Sequence, residues 1–341
     1  MGRSSEKVPA SMEAARLNHY DGKRESLCLE QVPVPTPGPG QVLVRMAASP
    51  INPSDVMFTR GLYGLTKPVP AIPGFEGAGT VVAAGFGFYG RWLVGKRVAC
   101  GALPQGGGTW AQYLATAARM CMHLPDRVSD EQGAMALANP ATAFALFFEA
   151  RHRGHSAAVH TAAASALGRI LLKITKKAGY PVIHIVRRPE QEKLLRKLGG
   201  EFVLNSSEEG FMDRLRETAG RLKATIAFDA VGGELTAGLV EALPRGSQIV
   251  VYGALSGQPA GIDTTRLIFD NKQVEGFWFS DWMEKRGPVR TFSCIRGALK
   301  GVGVDWTTDI ADRVSLGEIH EAIGRYEGDM TRGKIIIRPN G

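Results

Sequence analysis

Residues 157–188 read AAVHTAAASALGRILLKITKKAGYPVIHIVRR, and this stretch decides the fold. Its hydrophobic pattern predicts a strand at Ala157–His160, a turn of small residues at Thr161–Gly168, a helix at Arg169–Lys177 and a second strand at Val182–Val186. A strand, a tight turn, a helix and a second strand in this order are typical of a unit that binds a phosphorylated dinucleotide.

The turn departs from the usual G-x-G-x-x-G pattern of such units. The only glycine in the turn is Gly168, and alanines, among them Ala162 and Ala164, replace the earlier glycines. Backbone N–H groups can bind a pyrophosphate only where side chains are small enough for close approach, and glycine meets that requirement better than alanine. The turn alone therefore leaves two interpretations open, a pyrophosphate site and an ordinary helix start.

Two arginines, Arg187 and Arg188, follow the second strand, and the first acidic residue after them is Glu190. Enzymes that select NAD place a carboxylate here to bind the ribose hydroxyls, whereas a 2′-phosphate requires arginine. The alternative is that the pair only begins a solvated helix at Pro189–Leu198. Together with the preceding turn, the arginine pair favours NADPH over NADH as the cofactor.

Length and composition limit the class of protein. The 341 residues predict two domains, and the 42 glycines and 19 prolines are typical of an α/β enzyme rich in turns. The longest apolar region, Met135–Phe148, is interrupted by Asn139 and Pro140 and is too short to cross a bilayer. Residues 1–11 are polar and indicate a leader or disordered tail rather than a secretory signal. We therefore expect a cytoplasmic protein with no membrane partner.

The chain is basic, with a formal net charge of +8, and nine lysines and arginines crowd residues 169–197. Such a surface attracts the phosphates of NADPH, of a coenzyme A thioester or of nucleic acid. It would also attract the carboxylates of an acidic carrier protein. The alternative is that many of these side chains only solvate helix faces. No recognition motif interleaves aromatic residues with this charge, so nucleic acid is disfavoured as a partner.

The rest of the chain predicts two kinds of structure. Before the dinucleotide unit, strands are predicted at 26–32, 41–47, 79–84 and 97–99. After it, strands and helices alternate as far as 273–277, which predicts a parallel, doubly wound sheet. A last strand at 333–338 is expected to rejoin the first part. We therefore predict an α/β fold with a cofactor domain at 139–270, inserted into a β-rich catalytic domain formed by 1–138 and 271–341.

Four further motifs are Ile51–Asp55 (INPSD), Pro73–Gly79 (PGFEGAG), Gly108–Tyr113 (GTWAQY) and Asn139–Ala143 (NPATA). With the predicted layout, they resemble the medium-chain dehydrogenase/reductase superfamily over nearly the full chain. The resemblance implies a GroES-like catalytic domain and a Rossmann cofactor domain.

The chain differs from the zinc alcohol dehydrogenases of this superfamily. Those enzymes have a cysteine where this chain has Asn52–Asp55, and Gly-His-Glu where it has Gly74–Glu76 (GFE). Phenylalanine cannot ligate zinc. The four cysteines, which show no metal-site spacing, are Cys28, Cys100, Cys121 and Cys294. No metal is therefore expected, and the chemistry that remains is hydride transfer to an activated double bond or a quinone.

Within the superfamily, the chain is similar to the zinc-independent quinone oxidoreductases and to the 2-enoyl thioester reductases of the mitochondrial type. Arg60–Gly64 (RGLYG) matches the segment that carries the catalytic tyrosine of the thioester reductases, although quinone reductases often have a tyrosine there too. Val250–Leu255, Leu267–Phe269 and Glu275–Trp282 resemble the thioester reductases in the same order. The cofactor contacts that this resemblance implies are Asn139, Ser165, Ala166, Leu167, Gly168, Tyr252, Gly253, Ala254, Leu255, Phe277, Trp278, Phe279 and Lys334.

Tyr63 is the candidate catalytic residue. Hydride delivered to the β-carbon of an enone leaves an enolate, which a backbone N–H or the Tyr63 hydroxyl could stabilise, and Tyr63 or a water that it holds would protonate the α-carbon. A tyrosine with an unperturbed pKa is protonated at neutral pH and can serve as this acid. The alternative is that Tyr63 only packs on Pro68 or Pro70. Asn52 either orients Tyr63 or the nicotinamide ribose, or forms an Asn-Pro turn without further function.

Three other residues also have two interpretations. Thr142 either touches the nicotinamide or caps a helix at Ala143–Ala150. Trp278 and Trp282 either line an acyl pocket or belong to the core or a dimer interface.

Three functions remain open on the sequence. The first is NADPH-dependent reduction of a small-molecule enone or 2-enoyl thioester, and the second is NADPH:quinone oxidoreduction. The third is binding of NADPH or nucleic acid without catalysis. The resemblance also suggests a homodimer joined through edge strands near Gln248–Tyr252 or Ile262–Phe269.

Overall fold

The computed structural model describes residues 8–341, except the side chain of Pro288, and forms two compact units. The first unit combines the chain up to Ala138 with Gly301–Gly341, and the second unit is Asn139–Lys300. The leader or tail predicted for residues 1–11 lies largely outside the described residues, and a strand already begins at Ser11.

The chain up to Ala138 contains β1 (Ser11–Leu17), β2 (Leu27–Pro33), β3 (Gln41–Pro50), α1 (Pro53–Thr59), β4 (Glu76–Ala84), α2 (Phe88–Leu93), β5 (Arg97–Gly101), β6 (Tyr113–Ala117), β7 (Cys121–His123) and α3 (Asp130–Ala134). Next come α4 (Ala138–His152), β8 (Ala157–His160), α5 (Ala166–Lys177), β9 (Val182–Val186), α6 (Pro189–Lys197), β10 (Phe202–Asn205), α7 (Phe211–Leu222), β11 (Ala224–Asp229), α8 (Glu234–Ala242), β12 (Gln248–Val251), α9 (Thr264–Phe269), β13 (Gln273–Gly276) and α10 (Phe279–Gly301). The chain ends with β14 (Ile310–Val314), α11 (Ile319–Gly328) and β15 (Lys334–Ile337).

The first unit is built around the long strand β3. Strand β4 pairs antiparallel with β3 along its length, while β6 pairs with Gln41–Arg45 and β15 with Ser49 and Pro50 on the other side. Val42, Val44 and Met46 point into one hydrophobic core, because alternate residues of a strand face the same side. The last strand therefore joins the sheet of the first unit, as the sequence predicts.

The second unit contains a six-stranded parallel sheet in the order β10-β9-β8-β11-β12-β13. Numbered within the unit, this order is 3-2-1-4-5-6, the order of the doubly wound Rossmann fold. The predicted α/β class is confirmed. Helix α5 buries Ile170, Leu171 and Ile174 as its apolar face. The strand order reverses between β8 and β11, and ligands of such sheets bind at the carboxyl ends of the strands at this point.

Two details differ from the sequence predictions. The cofactor domain was expected to end at Asp270, but the second unit continues to Lys300, because β13 extends the sheet beside β12 and α10 follows it. The strands predicted to form a dimer edge are also placed differently. Strand β12 lies between β11 and β13, and Thr264–Phe269 is helix α9, so β13 is the edge strand on this side. No helix among the described residues is long and apolar enough to cross a membrane.

Candidate active site

The turn between β8 and α5 requires small residues. Ser165 caps α5, and its Oγ accepts a hydrogen bond of 3.1 Å from the backbone N–H of Gly168. A Cβ at position 168 would lie 2.3 Å from the carbonyl oxygen of Ala163, so only glycine fits there. Ala162 has a φ of +47°, which is the left-handed conformation that glycine usually adopts. The turn thus has the backbone of a dinucleotide-binding turn with alanine in a glycine position.

The arginine pair lies at the carboxyl end of β9. Arg187 is exposed, and Arg188 is half-buried at the N-cap of α6. The backbone N–H groups of both arginines donate to Oε1 of Gln191, at 3.1 and 3.2 Å. The Ser207 hydroxyl donates to the carbonyl oxygen of Arg187 at 2.8 Å. The two guanidinium groups can therefore bind a phosphate here, while the single hydroxyl donor of Ser207 is engaged with Arg187, and the first carboxylate after β9 is Glu190 in α6.

Sequence reasoning missed Ser207. It lies two residues after the end of β10, the neighbour of β9 in the sheet, and Asn205 Oδ1 accepts its backbone N–H at 3.0 Å. The pair Ser206-Ser207 after a buried strand was the available signal.

Buried neutral groups lie next to the turn, at the ends of β8 and β12. His160 Nε2 and the Tyr252 hydroxyl are 2.7 Å apart, and their rings stack with centroids 5.9 Å apart. Burial lowers the pKa of His160 to about 3 and that of His184, its neighbour on β9, to about 4. Burial also raises the pKa of Tyr252, and the charge of Asp229 adds to this effect. These side chains are therefore uncharged at neutral pH.

The Tyr252 hydroxyl is thus directed at His160, while part of the ring stays exposed. Gly253 is half-buried, and Ala254 and Leu255 are exposed at the same strand end. The predicted segment Tyr252–Leu255 is therefore half-buried at its start and exposed at its end, at the carboxyl end of the sheet.

Asp229, at the end of β11, organises the same edge of the sheet. Its carboxylate accepts hydrogen bonds from the Thr161 hydroxyl at 2.6 Å and the Thr236 hydroxyl at 2.5 Å. It also accepts the backbone N–H groups of Val231 and Gly232. Because Thr161 begins the turn, this buried carboxylate fixes the turn to the neighbouring strand.

The predicted contacts on α4 lie within the helix. Helix α4 begins at Ala138, so Asn139 is in its first turn and Thr142 is further inside. The interpretation of Thr142 as a helix cap is wrong, because the helix begins five residues earlier than Ala143. Asn139 Nδ2 is buried without a hydrogen-bond partner in the described structure, so this side chain has a donor available for a ligand.

The aromatic segment after β13 has exposed and buried members. The Phe277 N–H donates to the Val251 carbonyl at 2.8 Å, and Trp278 is 41% exposed. Phe279 stacks on Trp282 with ring centroids 5.8 Å apart. Trp282 is buried, and its Nε1 donates to the buried Glu149 at 2.7 Å. Trp282 therefore belongs to the core of the second unit.

The first unit contains a buried polar network around Asn52. Asn52 Nδ2 donates to Glu76 Oε1 at 2.9 Å, and Asn52 Oδ1 accepts from Lys334 Nζ at 2.6 Å. Lys334 Nζ also donates to the Tyr326 hydroxyl at 2.8 Å and to the carbonyl oxygen of Ile51 at 3.2 Å. All three ammonium donors of Lys334 are engaged, so its predicted contact with the cofactor would require one of these bonds to be exchanged.

Asp55 completes this network at the start of α1. Its carboxylate accepts the backbone N–H of Asn52 at 2.8 Å and that of Phe75 at 3.1 Å. Burial, with a smaller contribution from the neighbouring Glu76 carboxylate, raises the pKa of Asp55 to about 7. Burial also raises the pKa of Glu76, although backbone N–H groups of Leu137 and Ala138 stabilise its charged form. The buried Asn52 side chain therefore joins the Glu76 carboxylate to the Lys334 ammonium group, so Asn52 does more than form an Asn-Pro turn.

Tyr63 lies half-buried in the loop after α1. Its ring packs on Phe75 with centroids 4.9 Å apart, and Phe75 meets Phe58 edge to face at 5.5 Å. Phe75 occupies the position of the zinc-binding histidine in the zinc enzymes, so the side chain at this position here supports Tyr63 instead of a metal. Within residues 8–341, no group of three histidine, cysteine, aspartate or glutamate side chains could hold a metal ion.

The loop that carries Tyr63 is anchored by Lys67 and Tyr20. The Tyr20 hydroxyl donates to the Lys67 carbonyl at 2.8 Å and accepts its backbone N–H at 2.7 Å. Lys67 Nζ donates to the Gly106 carbonyl at 2.8 Å, and burial lowers the pKa of this ammonium to about 8. Sequence reasoning missed both anchors, because their partners are distant in the chain.

The fold and these groups define a reductase without a zinc-ligand set, and the chain belongs to the medium-chain dehydrogenase/reductase superfamily. The family model described as an alcohol dehydrogenase GroES-like domain matches residues 38–126. The model described as a zinc-binding dehydrogenase matches residues 166–293. The predicted GroES-like and Rossmann domains are therefore confirmed, and the chain is an oxidoreductase related to enoyl reductases and quinone reductases.

Three known proteins illustrate the similarity. The mitochondrial enoyl-[acyl-carrier-protein] reductase of Xenopus tropicalis is 31% identical over 291 residues, which cover 82% of this chain and 81% of the relative. The crystal structure of a putative NADPH:quinone reductase from Mesorhizobium loti is 36% identical, covers 98% of this chain and 100% of that chain, and has a TM-score of 0.89. The structure of the Etr1p complex with NADP and crotonyl-CoA shares the fold, with 22% identity, a TM-score of 0.81 and coverage of 96% of this chain and 100% of that chain.

Proposed function

We propose that this protein is an NADPH-dependent reductase of enones or 2-enoyl thioesters. The observation that carries the proposal is the packing of Tyr63 on Phe75, because it holds a tyrosine beside the residue that replaces the zinc-binding histidine of the zinc enzymes. The name of the frog relative, an enoyl reductase, supports the same class of substrate.

The residues of the second unit fit NADPH. Gly168 lets the turn pack closely, since a Cβ there would lie 2.3 Å from the Ala163 carbonyl oxygen, and Arg187 and Arg188 supply donors for a 2′-phosphate. When bound, NADPH supplies the hydride. The NADP bound in the Etr1p structure is consistent with this choice of cofactor.

In the proposed reaction, hydride adds to the β-carbon of the substrate and the electrons of the double bond move onto the carbonyl oxygen. The Tyr63 hydroxyl donates a hydrogen bond to this oxygen or, directly or through a water, a proton to the α-carbon. Phe75 holds the Tyr63 ring, and the anchors at Tyr20 and Lys67 hold its loop. Asn52 is a positioning residue, because its side chain is engaged with Glu76 and Lys334.

The experiment follows NADPH oxidation by absorbance, with crotonyl-CoA and a simple quinone in parallel. We expect a higher kcat/KM with crotonyl-CoA, and a loss of about 10²–10⁴-fold in the Tyr63→Phe variant. Tyr113→Phe is the matched control, since it removes one hydroxyl from a buried tyrosine of β6 that belongs to another core cluster of the same unit, and its loss should be much smaller. An unchanged kcat/KM in Tyr63→Phe would remove the acid role.

NADPH:quinone oxidoreduction is the second candidate, because the similar Mesorhizobium loti protein carries that name. A preference for the quinone in the same assay would support it. Activity with neither acceptor, together with tight NADPH binding, would favour the binding function. The predicted cytoplasmic location also stays a prediction, and the frog relative is named as mitochondrial.

We keep the homodimer as a proposal and move its expected interface to the edge strand β13. Size-exclusion chromatography with light scattering would measure the mass. The Val274→Pro variant, changed within β13, should favour the monomer if this edge joins two chains.

A further inference from the structure

An aromatic patch projects from the first unit between β4 and β5. We define it by Phe86, Phe88, Tyr89, Trp92 and Val94, which are 79%, 90%, 43%, 47% and 45% exposed. The rings of Tyr89 and Trp92 stack at 5.7 Å, which holds the indole at the surface. Isolated exposed apolar residues are common, but five within nine consecutive positions concentrate exposed apolar surface in one short segment, as interaction sites do.

The surroundings of the aromatic patch are basic. Lys96 Nζ lies over the Trp92 ring, 2.9 Å from its centroid, and Arg91 is exposed on α2. Arg119 is exposed on a short 3-10 helix that packs against α2. Residues 31–54 and 77–125 contain no aspartate or glutamate. The positive charges beside the aromatic rings therefore have no acidic partner within these two segments.

We propose that the aromatic patch docks on an anionic lipid surface. Phe86 and Phe88, the two most exposed members of the patch, would enter the boundary between head groups and acyl chains, where tryptophan and tyrosine also prefer to lie. Arg91, Lys96 and Arg119 would meet lipid phosphates, and anionic lipid attracts each basic residue near its surface. The basic residues beside the exposed rings favour an anionic lipid surface over an apolar protein partner.

The proposed contact with lipid would replace the sequence prediction that the protein has no membrane partner. The absence of a membrane partner was inferred from the absence of a spanning segment, and peripheral docking needs no such segment. The proposal does not depend on the substrate of the enzyme, because the aromatic patch is separate from Tyr63 and the Asn52 network.

The test is flotation of the full-length protein with vesicles of phosphatidylcholine alone or mixed with phosphatidylglycerol. We expect binding to the anionic vesicles that weakens as salt is raised, and at least a tenfold loss in the Phe86→Ser/Phe88→Ser variant. Val289→Ser/Phe292→Ser is the matched control, because these residues of α10 are 81% and 56% exposed. The Arg91→Gln/Lys96→Gln variant should lose the preference for anionic lipid.

A second readout is tryptophan fluorescence. Anionic vesicles should shift the emission of the wild type to shorter wavelength, and Trp92→Phe should abolish that shift. Circular dichroism and reductase activity on a soluble substrate should be the same in all variants, which would separate lost docking from misfolding. Absent binding to anionic vesicles, or equal losses in the patch and control variants, would overturn the proposal. Self-association that depends on Phe86 and Phe88 without vesicle binding would instead identify a second copy of the chain as the partner.

Discussion

The two units bury polar groups of opposite kinds. The first unit buries ionisable acids and a lysine together, Asp55, Glu76 and Lys334, joined through Asn52. The second unit buries His160 and His184 on neighbouring strands, and burial keeps both rings neutral at physiological pH. One cluster therefore depends on charges and their partners, and the other on the absence of charge.

This difference gives the two clusters opposite pH dependence. The pKa of Asp55 is raised from its ordinary value of 3.8 to about 7, so its contribution to stability is greatest in acid and is lost as the pH rises towards 7. The pKa values of the buried histidines are lowered from 6.5, so their contribution is present above pH 6.5 and is lost as the pH falls. The first unit thus limits stability on the alkaline side of this range, and the second limits it on the acidic side.

The largest expected effect comes from removing the only lysine of the first cluster. Lys334→Met leaves Asn52 Oδ1 and the Tyr326 hydroxyl without their donor, and leaves Asp55 and Glu76 without a nearby cation. We expect a loss of about 3–5 kcal/mol in the free energy of unfolding, measured by urea titration at pH 7.

The pairing in this cluster can be tested by neutralising a carboxylate as well. Adding Glu76→Gln to Lys334→Met should recover part of the lost stability, because one uncompensated charge is then removed. Fully additive losses in the double variant would show that Lys334 and Glu76 do not interact.

Arg187 and Arg188 are charged residues at the end of β9, the strand that contains the neutral His184. Replacing both by glutamine should raise the KM for NADPH about 10–100-fold and leave that for NADH nearly unchanged, since charged hydrogen bonds contribute about 1.5–3 kcal/mol. Steady-state kinetics with both cofactors measures this change. Lys193→Gln/Lys197→Gln removes the same charge from exposed positions of α6 and serves as the control. Equal losses with NADPH and NADH would contradict a 2′-phosphate site.

His184 tests the neutral cluster through pH. The pKa of His184 in the folded protein is about 4. As the pH falls from 7 to 5, this histidine should lower the free energy of unfolding by about 2 kcal/mol, because it gains a proton in the unfolded chain but not in the folded protein. His184→Leu should reduce the pH dependence of the free energy of unfolding by that amount. His19→Leu, at an exposed position, should not reduce it. A pH dependence that His184→Leu leaves unaltered would mean that this histidine is protonated in the folded state.

The elements of both units could largely be predicted from local sequence patterns. The strands β8 and β9 follow from continuous apolar runs, and the arginine pair is adjacent to β9 in the sequence. The polar networks could not be predicted in the same way. Lys334 meets Asn52 across 282 positions, and Glu149 meets Trp282 across 133, so no local pattern relates them. The role of β13 as an edge strand was missed for the same reason, because strand order is a property of the assembled sheet.

The smallest expected effect concerns the turn that the sequence predicted best. Ala162 has a φ of +47°, which costs a residue with a Cβ about 1–2 kcal/mol, whereas glycine adopts it freely. Glycine also has more freedom in the unfolded chain, which offsets part of the gain. Ala162→Gly should therefore raise the free energy of unfolding by about 0.5–1 kcal/mol, measured by thermal or urea unfolding. Ala164→Gly, at a position without positive φ, should lower it. If both variants are destabilised alike, Ala162 is unstrained, and the second unit tolerates this departure at no cost.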